Sequence, residues 1–371
     1  MADDKNKMNK KTIVLAAGGT GGHLFPAEAL AEELAARGHK VVILTDKRGE
    51  AFKSLDKTID IHIVRSAALK PGLVSKIKSG LDMTIGVFEA RGILKKYKPD
   101  AVVGFGGYPS FPGTFAAQTL KIPTILHEQN AVLGKANIWL ADGASAIATS
   151  LPGTAGIKEK NLSKVTHTGN PVRAAILALR DQRYLPPEKD FRVLITGGSQ
   201  GASIFSDVVP DAVARLPREL QERLDIVHQC RQETLEDTQK KYAMTHARTE
   251  IKSFFNDMAD RLKNCHLFVG RSGASTVAEV SVVGRPAIFV PYRHVDMQQK
   301  FNAESLSAAG GAWVVMQEDF TPDYLAAKLE VLMKNPGLLD SAAQAAKNCG
   351  QANATQKLAT LVEERLWIKK R

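Results

Sequence analysis

Cysteine is scarce in this 371-residue chain. Cys230, Cys265 and Cys349 are too few and too scattered for a disulfide framework or a zinc site, so a reducing compartment is expected. Metal-binding patterns are also missing. There is no D-x-D sequence and no His/Asp cluster with ligand spacing, so no metal is expected. The N-terminal MADDKNKMNKK lacks the apolar core of a signal peptide and reads as a loose tail over residues 1–11. The longest uncharged stretch, Ala101 to Leu120, carries Gly104, Gly106, Gly107, Pro109, Pro112 and Gly113. Glycine and proline at that density would leave backbone groups unpaired in lipid, so the stretch reads as a strand and a loop, not a membrane span.

What is present is a repeated signal. TIVLAAGGTGG from Thr12 and FRVLITGGSQG from Phe191 each run from a buried strand into a glycine-rich turn and then a helical pattern. Glycines there let backbone approach a phosphate, and the following helix N-terminus attracts it. In the first half, strand-like runs lie at Thr12 to Ala17, Lys40 to Leu44, Ile61 to Val64, Ala101 to Gly104, Pro123 to Leu126, Ala146 to Ala148 and Lys164 to Thr168. The second half has them at Phe191 to Thr196, Leu224 to His228, Leu267 to Val269, Ala287 to Val290 and Trp313 to Val315. Helical patterns fill the gaps, the clearest from about Phe25 to Arg37. Alternation of this kind predicts two Rossmann-like α/β domains with parallel sheets covered on both faces, facing a central cleft. The junction is expected between Val172 and Asp190, a polar stretch containing GNP and PP.

The net charge is +11, which points to an anionic partner without naming it. Between Arg65 and Lys98, eight basic residues (among them Lys70, Lys76 and Lys78) face only Asp82 and Glu89. Interleaved are Leu69, Leu73, Val74, Ile77, Leu81, Ile85, Val87 and Phe88. The mixture suits an anionic membrane surface, each near-surface basic residue contributing about 1 kcal/mol. Two amphipathic helices facing the domain core would give the same pattern. Nucleic acid is not expected, since no zinc-finger spacing, stacking motif or basic recognition helix accompanies the charge.

GGTGGH at Gly18 to His23 is neither a dinucleotide fingerprint, which needs glycine where Leu24 stands, nor a Walker loop, which needs Lys-Ser/Thr after Gly22. Its histidine stands out, because an imidazole at a helix start beside a phosphate-sized pocket can take a proton from a hydroxyl. GFGGYPS (Gly104 to Ser110) and HEQN (His127 to Asn130) follow the next buried strands and are expected on the same rim. Tyr108, His127, Glu128 and Asn130 there suit a hydroxylated substrate. In the second half, RSGASTVAE (Arg271 to Glu279) resembles a nucleotide clamp, Arg271 or exposed amides meeting a diphosphate and Glu279 the ribose hydroxyls. His294, Asp296, Gln298 and Gln299 are placed to hydrogen-bond a sugar.

Together GGTGGH, GFGGYPS, HEQN, GNPVR, GGSQGA, RSGASTVAE and DMQQKFNAE stand in the order found in the MurG family, and the resemblance spans Thr12 to about Glu304. It implies a GT-B fold, with an acceptor and membrane-associated domain at 12–173 and a UDP-GlcNAc-binding domain at 174–353. It also implies that helix 354–371 packs back on the first domain. The implied activity is inverting transfer of N-acetylglucosamine from UDP-GlcNAc to the muramyl 4-hydroxyl of lipid I, giving lipid II. UDP-GlcNAc enters as donor substrate, and no tightly bound cofactor is implied.

The resemblance further implies donor contacts at Thr20, Gly21, Gly22, Asn130, Arg173, Ser199, Phe255, Ala274, Ser275, Thr276, Val277, Ala278, Glu279, Gln298 and Gln299. Acceptor contacts fall at Gly18, Gly19, Gly106, Gly107 and Tyr108. Phe255, in FFNDM, replaces the family's common aliphatic residue at the uracil edge, and Ser275 and Ala278 are smaller departures. His23 is the first choice of general base, with His127 and Glu128 as alternatives. The implied location is the cytoplasmic face of the bacterial membrane, peripherally, with cell-wall synthesis and division proteins as partners. Competing readings are a UDP-GlcNAc epimerase or hydrolase of the same architecture, and a non-catalytic nucleotide-sugar sensor.

Overall fold

A computed structural model describes residues 10–49, 52, 55, 57–67, 72–198, 201–292 and 297–367. Leu69, Lys70, Ser199, His294 and Asp296 lie outside the described residues. The chain forms two compact units: the first runs to Arg173 and takes back the chain from Asn353, and the second is Ala174–Ala352.

The first unit is built on seven parallel strands: β1 (Thr12–Ala16), β2 (Lys40–Thr45), β3 (Asp60–Ile63), β4 (Ala101–Gly104), β5 (Thr124–Glu128), β6 (Ala146–Thr149) and β7 (Val165–His167). They lie in the order β3-β2-β1-β4-β5-β6-β7. The second has six: β8 (Phe191–Thr196), β9 (Leu224–Gln229), β10 (Arg248–Lys252), β11 (Leu267–Gly270), β12 (Ala287–Phe289) and β13 (Ala312–Val314). Their order, β10-β9-β8-β11-β12-β13, repeats the first. In both sheets the order reverses at the central pair, β1/β4 and β8/β11, and ligands of such sheets bind beyond the carboxyl ends at that switch point.

The continuous apolar strands are explained by burial on both faces. In β1, Ile13 and Leu15 join Leu30 and Leu34 on one face, while Val14 joins Val42, Val102, Ala90 and Leu94 on the other, as a two-residue repeat dictates. The final helix, Ala354–Trp367, places Leu358, Ala359 and Val362 in the first of these clusters. Glu363 pins it there, accepting from Arg37 Nη1 at 2.7 Å and lying 3.0 Å from His39 Nε2.

Three elements differ from the sequence-based expectation. β10 has no apolar run to announce it, because RTEIK is an edge strand. The segment after residue 72 is one helix, Leu73–Tyr97, not two. Ala90 and Leu94 face inward, while Ile77, Leu81 and Phe88 are exposed on its other side. The first helix is Gly21–Ala36, beginning before Phe25, which brings His23 into its first turn.

Candidate functional site

The loop after β1 is held by close packing. A Cβ on Gly18 would lie 2.6 Å from Pro109 Cβ, and Gly19 has φ +90°, so glycine is needed at both positions. Gly19 donates its N–H to Asp46 Oδ1 at 3.2 Å, and Asp46 is paired with Arg48 at 2.7 Å. Asp46 stands just past the end of β2, so the neighbouring strand braces the glycine loop with a carboxylate. Phe25 packs against Gly21, and the Arg173 guanidinium stacks on the Phe25 ring at 4.0 Å, which ties Arg173 to this loop.

His23 sits at the junction of three strand ends. Its Nδ1 lies 3.0 Å from Gln129 Oε1. Its Nε2 faces the Cα of Gly107, where a side chain would come within 3.1 Å, and Gly107 (φ +68°) follows β4. Gln129 Nε2 in turn lies 2.9 Å from His127 Nδ1, and His127 Nε2 lies 3.3 Å from Gly169 O. His127 is fully buried, and burial pushes its pKa down to about 4, with Gly169 opposing and His23 adding to the shift.

Glu128 is buried too, and its carboxylate collects donors. Oε1 accepts from the Asn130 N–H and Nδ2 at 3.1 Å each, and Oε2 accepts from the Gly134 N–H and Asn137 Nδ2 at 2.8 Å each. It therefore shapes the loop that presents Asn130. Asn137 Nδ2 also lies where a Cβ on Gly106 would come within 3.2 Å. Tyr108 is half-buried in the first turn of helix Gly107–Thr119. Asn170 is buried with both amide atoms lacking a hydrogen-bond partner among the described residues.

In the second unit the loop after β8 is equally tight, a Cβ on Gly197 meeting Ala202 N at 2.2 Å. Its brace is neutral. Thr196 Oγ1 donates to Gln229 Oε1 at 2.6 Å and accepts from the Gly198 N–H at 3.1 Å, while Gln229 Nε2 reaches Gly198 O at 3.4 Å. Gln229 closes β9, the counterpart of β2.

Helix Ala274–Val283 starts at the end of the β11 loop, so the amides of its first turn have no intrahelical partners. Ser275, Val277 and Glu279 are buried, and Ala274, Thr276 and Ala278 half-buried. Ser272 Oγ is buried without a hydrogen-bond partner among the described residues. Arg271 is already committed: it donates to Val290 O, Pro291 O and Gln317 Oε1 and stacks near Phe205 and Tyr292. It anchors the loop's neighbours, and the groups here with the chemistry to meet an anion are the helix amides and nearby hydroxyls.

Gln298 and Gln299 open helix Gln298–Ala308, and Gln299 Oε1 accepts from the Tyr292 N–H at 2.8 Å. Phe255 is buried beneath Arg261, 4.9 Å from ring to guanidinium. Among the described residues no group of three His, Cys, Asp or Glu side chains is placed to hold a metal ion.

The glycosyltransferase family 28 N-terminal domain matches residues 13–149, and the family's C-terminal domain matches residues 192–362. A Rhodospirillum centenum protein is 49% identical across 96% of this chain and 94% of its own length. Its name is UDP-N-acetylglucosamine–N-acetylmuramyl-(pentapeptide) pyrophosphoryl-undecaprenol N-acetylglucosamine transferase. A Caulobacter vibrioides protein of the same name is 44% identical over 95% of this chain and 99% of its own. The crystal structure of Acinetobacter baumannii MurG superposes with a TM-score of 0.73 at 33% identity, covering 95% of this chain and 99% of that one. The chain belongs to the MurG family within glycosyltransferase family 28.

A Listeria monocytogenes structure titled as a UDP-N-acetylglucosamine 2-epimerase also superposes, with a TM-score of 0.72 at 16% identity over 97% of both chains. That likeness is one of GT-B fold alone. Three residues of this site do not emerge from sequence motifs as functional: Asp46, Gln129 and Gln229. Gln129 lies inside HEQN, so the motif holds it. Asp46 and Gln229 carry one signal, a polar residue closing an apolar strand next to the glycine-bearing one.

Proposed function

We propose that this chain catalyses inverting transfer of N-acetylglucosamine from UDP-GlcNAc to the 4-hydroxyl of the muramyl sugar of lipid I, forming lipid II and UDP in peptidoglycan synthesis. The observation that carries the proposal is near-full-length identity of 44–49% to transferases of that name. The first unit is the acceptor half and the second the donor half.

In the reaction the acceptor oxygen attacks the anomeric carbon, the bond from that carbon to the diphosphate oxygen breaks, and the hydroxyl proton passes to a base. His23 is assigned that role, because its Nε2 has no hydrogen-bond partner among the described residues, whereas His127 and Glu128 are buried with their polar atoms engaged. General-base transfer contributes about 10²–10⁴-fold. The departing diphosphate is stabilised by Ser199 and by the first-turn amides of the helix from Ala274, which that helix holds in place before the reaction. Glu279 and Gln299 orient the ribose and sugar, Phe255 borders the uracil, and Arg173 and Asn130 complete the donor contacts. Gly18, Gly19, Gly106, Gly107 and Tyr108 receive the acceptor.

No helix among the described residues is long and apolar enough to cross a membrane. Peripheral attachment to the cytoplasmic face is supported by helix Leu73–Tyr97, whose exposed Ile77, Leu81 and Phe88 lie beside Lys76 and Lys78, with exposed Trp139 on another helix of the same unit. Apolar tips in the headgroup region and lysines on anionic lipid act together.

A transfer assay with labelled UDP-GlcNAc and a lipid I analogue tests the reading. Disaccharide product is expected only with the acceptor present. Donor turnover without acceptor, giving free sugar or an epimer, would replace the transferase by a hydrolase or epimerase, and binding without turnover would indicate a sensor.

A further inference from the structure

The hydrogen bonds behind His23 have a direction that can be derived atom by atom. Gln129 Nε2 lies 3.3 Å from the His127 backbone oxygen, which only accepts, so the amide end facing His127 is the NH2. That NH2 also meets His127 Nδ1 at 2.9 Å, so Nδ1 is the accepting nitrogen and the His127 proton resides on Nε2, directed at Gly169 O. The other end of the amide is then the carbonyl, 3.0 Å from His23 Nδ1, and a carbonyl oxygen cannot donate. The proton of neutral His23 therefore sits on Nδ1, and the lone pair is on Nε2, the nitrogen facing Gly107.

We propose that Gln129, itself fixed by His127, is a positioning residue that holds His23 in the one tautomer able to accept a proton at Nε2. The proposal rests on the reading of His23 as the base. Both backing residues are out of water, Gln129 1% and His127 0% exposed, so solvent does not compete for these bonds. The relay is neutral at working pH: the low pKa of His127 keeps it uncharged, and the nearby Glu128 carboxylate is occupied by Asn130, Gly134 and Asn137. Serine-hydrolase triads orient histidine with a carboxylate, which also stabilises the imidazolium. An amide orients the ring without setting a second charge beside it. The role follows from the arrangement Gly169 O, His127, Gln129, His23, which links the end of β5 to the first helix.

The test measures kcat, the KM for UDP-GlcNAc and the pH–rate profile for Gln129→Met, the isosteric Gln129→Glu and His23→Ala, and for each Gln129 change combined with His23→Ala. Thermal midpoints and UDP affinity run in parallel. Gln129→Met is expected to lower kcat about tenfold with KM for the donor within about twofold, the signature of a lost transition-state contribution. Gln129→Glu is expected to move the acid limb of kcat to higher pH by about one unit, since a carboxylate partner favours the charged imidazole. Neither change should alter the residual rate in the His23→Ala background.

An unmoved acid limb in Gln129→Glu, or equal losses with and without His23, would overturn the relay. Near-normal turnover by His23→Ala would instead overturn the assignment of the base, a separate outcome.

Discussion

The two units share one strand order and one glycine loop, yet the loops are braced by different chemistry. In the first, the residue after β2 is Asp46, whose carboxylate takes the Gly19 N–H and pairs with Arg48. In the second, the residue closing β9 is Gln229, a neutral amide bonded to Thr196 and Gly198. A carboxylate under a loop opposes a nearby phosphate, whereas an amide adds no charge; that charge is the difference, since Gly19 and Gly198 each commit an N–H, to Asp46 and to Thr196. Under the proposed function, the duplicated fold therefore keeps one architecture and separates two roles, proton acceptance at His23 in one half and diphosphate binding in the other.

The sharpest way to break that contrast is to remove the imidazole. His23→Ala should lower kcat by about 10²–10⁴-fold while changing UDP affinity little, measured by steady-state kinetics and calorimetry. Comparable losses in both would make His23 a donor contact instead of the base.

Next in size is acid sensitivity, which both units should share. His127 and His228 have pKa values lowered by burial from 6.5 to about 4 and about 3. The unfolded chain binds protons there that the folded chain does not, so this stability is complete above pH 6.5. It is lost as pH falls, down to about 4 for the first unit and about 3 for the second, at up to about 1.4 kcal/mol per pH unit per group. Denaturant midpoints between pH 7 and 4 should fall accordingly, and His228→Phe should reduce the second unit's share, leaving that of His266, whose pKa burial also lowers to about 4. A flat dependence in the unsubstituted chain would show these imidazoles are not buried neutral.

The smaller contrast concerns membranes. Lys76→Glu with Lys78→Glu should weaken binding to anionic vesicles by about 30-fold or more, at ~1 kcal/mol for each lysine lost, and leave turnover of a soluble acceptor within about twofold, since both lysines are exposed on a helix of the first unit. Equal loss on the soluble acceptor would assign them to folding or catalysis.

Most of the frame is legible in the sequence because buried parallel strands announce themselves as apolar runs, and glycine turns mark where they end. β10 escapes because only one sheet edge needs it, and its outer positions are solvated. The helix Leu73–Tyr97 is ambiguous because periodicity reports apolar faces without saying which is covered. In the site, GGTGGH, HEQN and RSGASTVAE place most groups on the right strand ends. The partners of those groups are not legible: Asp46 lies 27 residues from Gly19, and Gln129 lies 106 from His23, pairings that exist only once the sheet is assembled. Arg271 teaches the converse lesson, since a cation beside a glycine turn proves to be consumed by backbone carbonyls.

The most direct measurement of the division of labour is UDP affinity after exchanging the charge of the two braces. Gln229→Glu should weaken UDP binding about fivefold, or ~1 kcal/mol, by setting a carboxylate beneath the donor loop. Gln229→Met, which loses the Thr196 bond as well as the amide's donated bonds but adds no charge, should weaken it less, and Asp46→Asn should leave it within about twofold. Calorimetry finding that Asp46→Asn tightens UDP, with Gln229→Glu indifferent, would contradict the account and move the diphosphate to the first unit.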